Sequence, residues 1–267
     1  MSFPSEDIIE AAFPQKVHCS LVEQGLRRDG RDFLQRREMS AVHNCLKFAD
    51  GSSLVKLHGT SALCSIKCRL ASIDQAPSFS VSVSFANVCN SPDQPHLSSI
   101  LNDLIQSYPP INLSSLDPPT PNHNWLISIS ITFLSSDGSE LDAALHSINT
   151  AFSSLLCPQY SIKEDTGVLS RTGSVALTTL NNYLVSGTFV ITNDKLLFDP
   201  TNSEIVNSDS LLQVVLKSNT SLSNLSDDVD ERNSQLTLAR CHLSSGSGVG
   251  CSLVSKAINY LREVTGV

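Results

Sequence analysis

The first half of the chain alternates hydrophobic and polar residues in some stretches and spaces them helically in others. Alternation at every second position is typical of strands with one buried face. It predicts strands over residues 53–57, 62–68, 81–85 and 125–134. Apolar residues three and four apart predict helices over residues 97–105 and 141–155. His58-Gly59 predicts a turn between the first two strands, and Cys157-Pro158 predicts the end of the second helix.

The second half follows a similar pattern. Strands are predicted over residues 174–179, 183–192, 195–199, 211–217 and 235–241. The polar and acidic stretch 218–234 predicts a loop that widens a hairpin, and the glycine-rich stretch 246–250 leads into a final helix. This order of elements predicts an α+β fold in which helices cover one face of each mostly antiparallel or mixed sheet.

The length of 267 residues allows one large domain or two fused, similar halves. We divide the chain into an N-terminal leader (1–24), a first half (25–158) and a second half (159–267), which together form one compact domain. A hydrophobic content of 40% supplies a sizeable core and excludes a disordered or fibrous chain.

The net charge of −8 predicts a poor autonomous nucleic-acid binder, since neutralising phosphates requires a basic surface. Any contact with RNA or DNA is expected to be local or to occur beside more basic partners. No stretch approaches the roughly 18 apolar residues of a membrane helix, and the N-terminus lacks the pattern of a secretory signal. The eight cysteines form no CxxC pair and no zinc-site spacing. We therefore expect free thiols, no metal and a reducing compartment, the cytosol or the nucleus.

The densest positive stretch is the turn that contains Arg27, Arg28 and Arg31. Two interpretations are open. These arginines pair with carboxylates of this chain or of a neighbouring subunit, or their forked guanidinium groups contact phosphate.

Several segments resemble, in order, the RNase PH-like subunits of the RNA exosome. Arg28-Asp29-Gly30-Arg31 is similar to the R-P-D-G-R entry of that family, and residues 49–61 are similar to its ADGSALVKLGNT hairpin. Residues 136–144 resemble D-G-x-x-x-D-A, and residues 197–201 resemble the strand end that reads DPT. The resemblance extends from Gly25 to Glu263. It implies an RNase PH-like fold of the ribosomal protein S5 domain 2-like type, built from duplicated sheet and helix units.

The phosphorolytic members of this family hold inorganic phosphate with an arginine and use two acidic residues six apart. By the resemblance, Leu141 stands at the position of the phosphate-binding arginine, between Glu140 and Asp142. Two carboxylates there would repel phosphate by about 4 kcal/mol at 4 Å in an effective dielectric constant near 20. Asp199 corresponds to the first acid, and Ile205 stands at the second. We expect Glu204, beside Ile205, to point to the opposite face of a strand.

The resemblance therefore implies a catalytically inactive structural subunit of the eukaryotic RNA exosome core ring, without a cofactor or a catalytic residue. Such a subunit supports 3′-to-5′ RNA processing, including rRNA processing, and RNA degradation by forming the RNA channel. Its implied partners are the other RNase PH-like subunits of a hexameric ring, S1/KH cap subunits and RNA, with no membrane. Its implied location is the cytoplasm and the nucleus, including the nucleolus. The alternatives are an active phosphate-dependent 3′-to-5′ exoribonuclease and an unrelated α+β scaffold protein.

We further predict that Lys67 and Arg69, at the end of the first hairpin, face the channel and contact RNA. The alternative for both residues is a solvated strand end. Arg28 and Arg31 are predicted to stabilise the fold or a subunit interface.

Overall fold

The computed structural model describes residues 12–72, 76–86, 94–113, 123–162, 169–176, 180–218, 236–245 and 250–265. Within these ranges the helices are α1 (Pro14–Glu23), α2 (Gln94–Ser107), α3 (Glu140–Ser153), α4 (Asn202–Asn207) and α5 (Cys251–Thr265). The strands are β1 (Met39–His43), β2 (Gly51–Leu57), β3 (Thr60–Ser72), β4 (Ser78–Phe85), β5 (His123–Ser135), β6 (Leu156–Ile162), β7 (Leu169–Ala176), β8 (Tyr183–Thr192), β9 (Lys195–Phe198), β10 (Ser210–Ser218) and β11 (Leu236–Ser245).

The first large sheet is mixed and has the strand order β1-β2-β3-β5-β4. Its pairs are antiparallel except β4 and β5, which run parallel because α2 connects them in a crossover. The predicted hairpin around His58-Gly59 is confirmed, with Leu57 opposite Thr60. One face of this sheet is buried under α2 and α3, as the alternating residues require.

The second large sheet is antiparallel and has the order β11-β10-β8-β9. Helix α5 packs on it through Ala257 and Leu261, which join a buried cluster with Phe189 and Phe198. Helix α3 contacts β2 and β3 of the first sheet and β8 of the second. Contacts on both sides explain why nearly all of its residues are buried. The predicted α+β arrangement is therefore present, with α3 as the shared central layer.

Several elements were not predicted from the sequence, among them β6 and α1. The second helix ends at Ser153, before Cys157-Pro158 as predicted, but both of these residues belong to the unpredicted strand β6, which pairs with β7 in a two-stranded sheet. A strand of a two-stranded sheet has one free edge and can accommodate proline there. The N-terminal segment contains α1, whose Val22 is fully buried against Val190 and Leu197. The predicted loop 218–234 lies outside the described residues, except that Ser218 ends β10.

The turn before α3 is in close contact with the segment that follows β9. Gly138 has a φ of +81°, and a Cβ atom on it would lie 2.6 Å from the carbonyl oxygen of Pro200. Only glycine fits both the left-handed backbone and this contact. The turn at residues 136–139 and the corner at residues 199–201 are thereby held together. No helix in the described ranges is long and apolar enough to cross a membrane.

Candidate functional site

A buried group of charged side chains joins three segments: the loop before β1, the turn before α3 and the corner after β9. We call it the arginine–carboxylate cluster, and it consists of Arg27, Asp29, Arg31, Arg37, Asp137, Asp199 and Glu204. The cluster contains the predicted first acid, Asp199, and one of the predicted fold or interface residues, Arg31.

Asp199 lies at the centre of the cluster with 1% of its surface exposed. Both the backbone N–H of Arg37 and its Nε donate to Asp199 Oδ2, at 2.8 and 3.0 Å. Arg37 Nη2 donates to Asp199 Oδ1 at 2.8 Å. The left-handed φ of +51° at Asp199 turns the chain sharply after β9 and into the corner. Arg37 therefore makes the hydrogen bonds that hold this carboxylate, and Arg31 Nη1 adds an ion pair to Asp199 Oδ2 at 3.6 Å.

The protonation of Asp199 follows from these contacts. Burial alone would raise the pKa of its carboxyl, but the hydrogen bonds and charge of Arg37 outweigh burial and hold the pKa below its usual value. Asp199 is consequently an ionised, structurally engaged carboxylate. An acid held in this way does not release or accept protons near neutral pH.

Arg27 and Glu204 form a second, fully buried pair. The guanidinium donates to both carboxylate oxygens, through Nε at 2.9 Å and Nη2 at 2.7 Å, and their side chains are 0% and 3% exposed. Arg27 Nη1 also donates to the carbonyl oxygen of Phe198 at 2.9 Å. Bidentate geometry with additional carbonyl acceptors is what a buried charge pair requires to offset its desolvation.

The two other arginines of the turn lie in different environments. Arg31 donates through Nε to Asp29 Oδ2 at 2.6 Å and through Nη2 to the carbonyl oxygen of Asp199 at 3.1 Å. Its side chain is 13% exposed. Arg28 is exposed. Of the two interpretations of the turn, pairing within the chain therefore describes Arg27 and Arg31.

The charge balance of the cluster determines what it can bind. Three guanidinium groups, those of Arg27, Arg31 and Arg37, face four carboxylates in the ion pairs. Every guanidinium of the cluster already contacts a carboxylate. A phosphate group would have to compete with these anions for the same donors, so the cluster is not an anion site.

Leu141 and Asp142 lie in the first turn of helix α3, next to this cluster. Leu141 is 2% exposed and packs in the main hydrophobic core. Asp142 is buried and accepts a hydrogen bond from the backbone N–H of Thr188 at 2.9 Å. Burial raises the pKa of Asp142. Asp142 thus faces β8 in the protein interior, whereas the sequence suggested that its charge would flank an open phosphate position.

The prediction that Glu204 would point to the opposite face of a strand is wrong. Residues 202–207 form helix α4, and Thr201 and Glu204 make a capping box at its start, in which Thr201 Oγ1 and the Glu204 carboxylate accept from each other's backbone N–H. Ile205 packs, half-buried, against the cluster of Val22, Val190 and Leu197. The six-residue spacing from Asp199 therefore spans a corner and a helical turn.

Two central members of the cluster, Arg37 and Glu204, were missed as functional positions. The Thr-x-x-Glu pattern at residues 201–204 is a helix-start signal and could have identified α4. The pair Arg36-Arg37 carries no local signal that distinguishes the buried arginine from its neighbour.

Lys67 and Arg69 are exposed on β3 and lie far from the cluster. Thr60, at the start of β3, donates to the carbonyl oxygen of Gly138 at 2.7 Å, so the start of β3 is the end of the strand that lies near the cluster. At about 3.3 Å per residue, Lys67 and Arg69 lie roughly 20–30 Å farther along β3. Any role of these two residues is therefore separate from that of the cluster. No group of His, Cys, Asp and Glu within the described residues could hold a metal ion.

Comparisons with known proteins agree on one fold. Residues 35–158 match the family described as RNase_PH, 3′ exoribonuclease family, domain 1. The chain is 26% identical over 224 residues to exosome complex component rrp43 of Schizosaccharomyces pombe, covering 79% of this chain and 83% of that protein. It is 24% identical over 207 residues to exosome complex component Rrp42 of Methanopyrus kandleri, covering 73% and 77% respectively. Its structure resembles a chain of the Archaeoglobus fulgidus exosome with RNA bound to the active site, with a TM-score of 0.73, 21% identity and 96% coverage of both chains.

Removing one partner of the buried pair of Arg27 and Glu204 should strongly lower the stability of the fold. Arg27→Met leaves the Glu204 carboxylate buried without its guanidinium, and we expect it to lower the free energy of unfolding by about 3–5 kcal/mol. The double variant Arg27→Met/Glu204→Leu should recover most of this loss, because it leaves no unpaired charge. Urea denaturation of the full chain measures both values. Arg28→Met is the control, because it makes the same substitution at the exposed neighbouring arginine and should lower the free energy of unfolding much less. An equal loss in Arg28→Met would contradict the assignment of Arg27 and Glu204 as a stabilising buried pair.

The pKa values of Asp142 and Asp199 are shifted in opposite directions, so replacing each aspartate by asparagine should change the stability of the fold in opposite directions. The lowered pKa of Asp199 means that its ionised form stabilises the fold above the ordinary pKa of 3.8 and that this stability is lost as the pH falls through the folded-state value. The raised pKa of Asp142 means that its stability contribution is lost as the pH rises above 3.8. At neutral pH we therefore expect Asp199→Asn to destabilise and Asp142→Asn to stabilise the chain.

Urea unfolding across an acidic-to-neutral pH series checks both signs. The free energy of unfolding of Asp142→Asn should equal that of the parent chain at the acidic end of the series and exceed it at the neutral end. The free energy of unfolding of Asp199→Asn should change less with pH at the acidic end than that of the parent chain. A loss of stability in Asp142→Asn that grows with pH would mean that the buried carboxylate is favourably ionised.

Proposed function

Because this chain has the RNase PH-like fold and is homologous to exosome complex components, we propose that it is a non-catalytic structural subunit of the eukaryotic exosome core ring. The match to the RNase_PH family and the shared fold support this proposal over the alternative of an unrelated α+β scaffold protein. What supports the proposal most is the environment of Leu141, the residue that the resemblance places at the phosphate-binding arginine: it lies in the hydrophobic core, with 2% of its surface exposed.

The neighbouring charges support the same proposal. Phosphorolysis brings two anions together, an RNA phosphodiester and inorganic phosphate, and therefore needs unpaired positive charge. The arginines of the cluster contact Asp29, Asp199 and Glu204 instead. Ile205, which the resemblance places at the second acidic position, is a half-buried residue of α4 without an ionisable group. Asp199, which the resemblance places at the first acidic position, is thus engaged in an ion pair with Arg37.

The proposed role is to build the ring and its channel, through which RNA reaches a separate nuclease for 3′-to-5′ processing or degradation. We propose the other RNase PH-like subunits and S1/KH cap subunits as partners, and the cytoplasm and the nucleus, including the nucleolus, as locations. Exposed apolar residues on β1 and in the loop between β1 and β2 support assembly: Val42 is 56% exposed on the edge strand β1, and Phe48 in that loop is 95% exposed. Edge strands with exposed apolar residues are typical of surfaces that another chain covers.

The proposal predicts that the purified chain is inactive in phosphorolysis. Incubation with single-stranded RNA and inorganic phosphate should release no nucleoside diphosphates above the level of a protein-free control, because the arginines of the cluster are already paired with carboxylates. Activity that depends on phosphate and is abolished by Asp199→Asn would instead support the alternative, an active phosphate-dependent exoribonuclease. The pH series described above provides a folding control for that variant.

The proposal also predicts the neighbours of the chain in cells. A tagged chain purified from native extract should bring down other RNase PH-like subunits in equal amounts, together with S1/KH proteins, as determined by mass spectrometry. Tagged Val42→Asp/Phe48→Asp is the matched variant, and we expect it to recover less of these partners because it places charges on exposed apolar positions. Recovery of the tagged chain alone would contradict a ring subunit.

A further inference from the structure

The first sheet has one face that no described helix covers. Residues of β4 alternate strictly along the strand: Phe79, Val81 and Val83 are buried beneath the helices, and the serines between them are exposed on the other side. The adjacent β5 alternates in the same way, with Ile127, Ile129 and Ile131 buried. The exposed side of these two strands is therefore a surface of small hydroxyl side chains.

These hydroxyl groups are paired across the two strands. Ser80 donates to Ser128 Oγ at 3.3 Å, and Ser82 donates to Ser130 Oγ at 3.1 Å. The Ser84 and Thr132 hydroxyls share a hydrogen bond of 3.0 Å. We call these six residues the hydroxyl ladder. Its rungs lie two residues apart, or about 6.7 Å.

Two cations extend the ladder onto β3. Lys67 lies opposite Ser128, which in turn lies opposite Ser80, so these three residues form one row across the sheet. Arg69 lies opposite Leu126, in the next row along the strands. Both cations are exposed. The ladder therefore has positive charge at one margin and neutral hydrogen-bonding groups over the rest.

The sheet carries no negative charge on its strands. Residues 39–43, 51–57, 60–72, 78–85 and 123–135 include neither aspartate nor glutamate, although the chain has 26 acidic residues and a net charge of −8. Lys67 and Arg69 thus differ from the arginines of the cluster, each of which contacts a carboxylate. The carboxylate of Asp50, just before β2, lies next to β3: it accepts a hydrogen bond from the backbone N–H of Cys68 and pairs with Arg171. A sheet face that carries cations and no acidic residue on its own strands is complementary to a polyanion.

We propose that the hydroxyl ladder, with Lys67 and Arg69, binds the sugar–phosphate backbone of single-stranded RNA without reading its bases. Hydroxyl and cationic side chains are the groups that contact phosphate and sugar oxygens and carry no sequence information. The ladder contains no aromatic side chain, so bases have no platform on which to stack. The inference rests on the proposed function for the source of the RNA, and binding itself is a property of the isolated chain.

A protein partner fits this surface less well. Protein interfaces concentrate their binding energy in apolar or aromatic anchors, and the six ladder residues and two cations provide none. Apolar residues occur at the two ends of the ladder, where Leu126 precedes Ser128 and Leu134 follows Thr132. The ladder is thus a polar track bounded by apolar ends, long enough for several consecutive phosphates.

Fluorescence anisotropy with labelled oligouridine, measured on the full chain over a series of salt concentrations, tests the proposal. Single-stranded binding weakens with a slope of about −0.7 per neutralised phosphate on logarithmic axes. Lys67→Ala/Arg69→Ala should therefore make the slope shallower by about 1.4. Ser80→Ala/Ser82→Ala/Ser84→Ala should weaken binding by about tenfold with little change of slope, because it removes neutral hydrogen bonds.

Two variants serve as controls. Lys56→Ala removes an exposed cation of the same sheet that lies opposite Ser61, roughly 20 Å along β3 from Lys67, and should leave the slope unchanged. Lys67→Arg/Arg69→Lys keeps both charges and should keep the slope. Urea unfolding of each variant verifies that the sheet is intact.

The outcomes distinguish this inference from the proposed function. A slope in Lys67→Ala/Arg69→Ala equal to that of the parent chain would overturn the inference, as would a complete lack of oligouridine binding at low salt. Loss of RNase PH-like partners from the tagged variant, with an unchanged slope, would identify the face as a protein interface and also overturn it. The ring-subunit proposal depends on co-purification of the parent chain and can fail or succeed independently.

Discussion

The pair formed by Arg37 and Asp199 is the contact on which the rest of the site depends. A carboxylate with 1% exposure is tolerated in a protein interior only with a matched, hydrogen-bonded cation. Arg37 meets this requirement with three hydrogen bonds from one residue to one carboxylate. Since Arg37 precedes β1 and Asp199 follows β9, this single pair connects the first sheet to the second.

The surrounding contacts extend that connection. Arg27 and Glu204 attach the N-terminal loop to α4, and Gly138 lets the turn before α3 approach the backbone of Pro200. Helix α3 then runs between the sheets with Leu141 in the core. Charge pairing at one end of this helix and apolar packing along it fix the relative position of the two sheets.

The need to pair buried carboxylates with arginines also separates the structural ion pairs from the cations proposed to contact RNA. Arginines that hold buried carboxylates cannot also hold phosphate, so the cluster serves the architecture of the subunit. The cations without acids on neighbouring strands, Lys67 and Arg69, lie at the far end of β3 on the uncovered face of the first sheet. In this protein, contact with RNA and structural ion pairing are therefore proposed at opposite ends of one strand.

The sequence by itself determined the elements whose signal is local. Alternation identified β8 over residues 183–192 as observed, and apolar spacing identified the helices that contain Leu101 and Leu145. The ordered motifs indicated the RNase PH-like fold and directed attention to Leu141 and Asp199. Only the tertiary structure decided which arginine is buried, that Glu204 lies on a helix, and that residues 156–162 form a strand. Periodicity depends on neighbours a few residues away, whereas an ion pair such as Arg27 with Glu204 joins residues 177 positions apart and exists only after the sheets have packed.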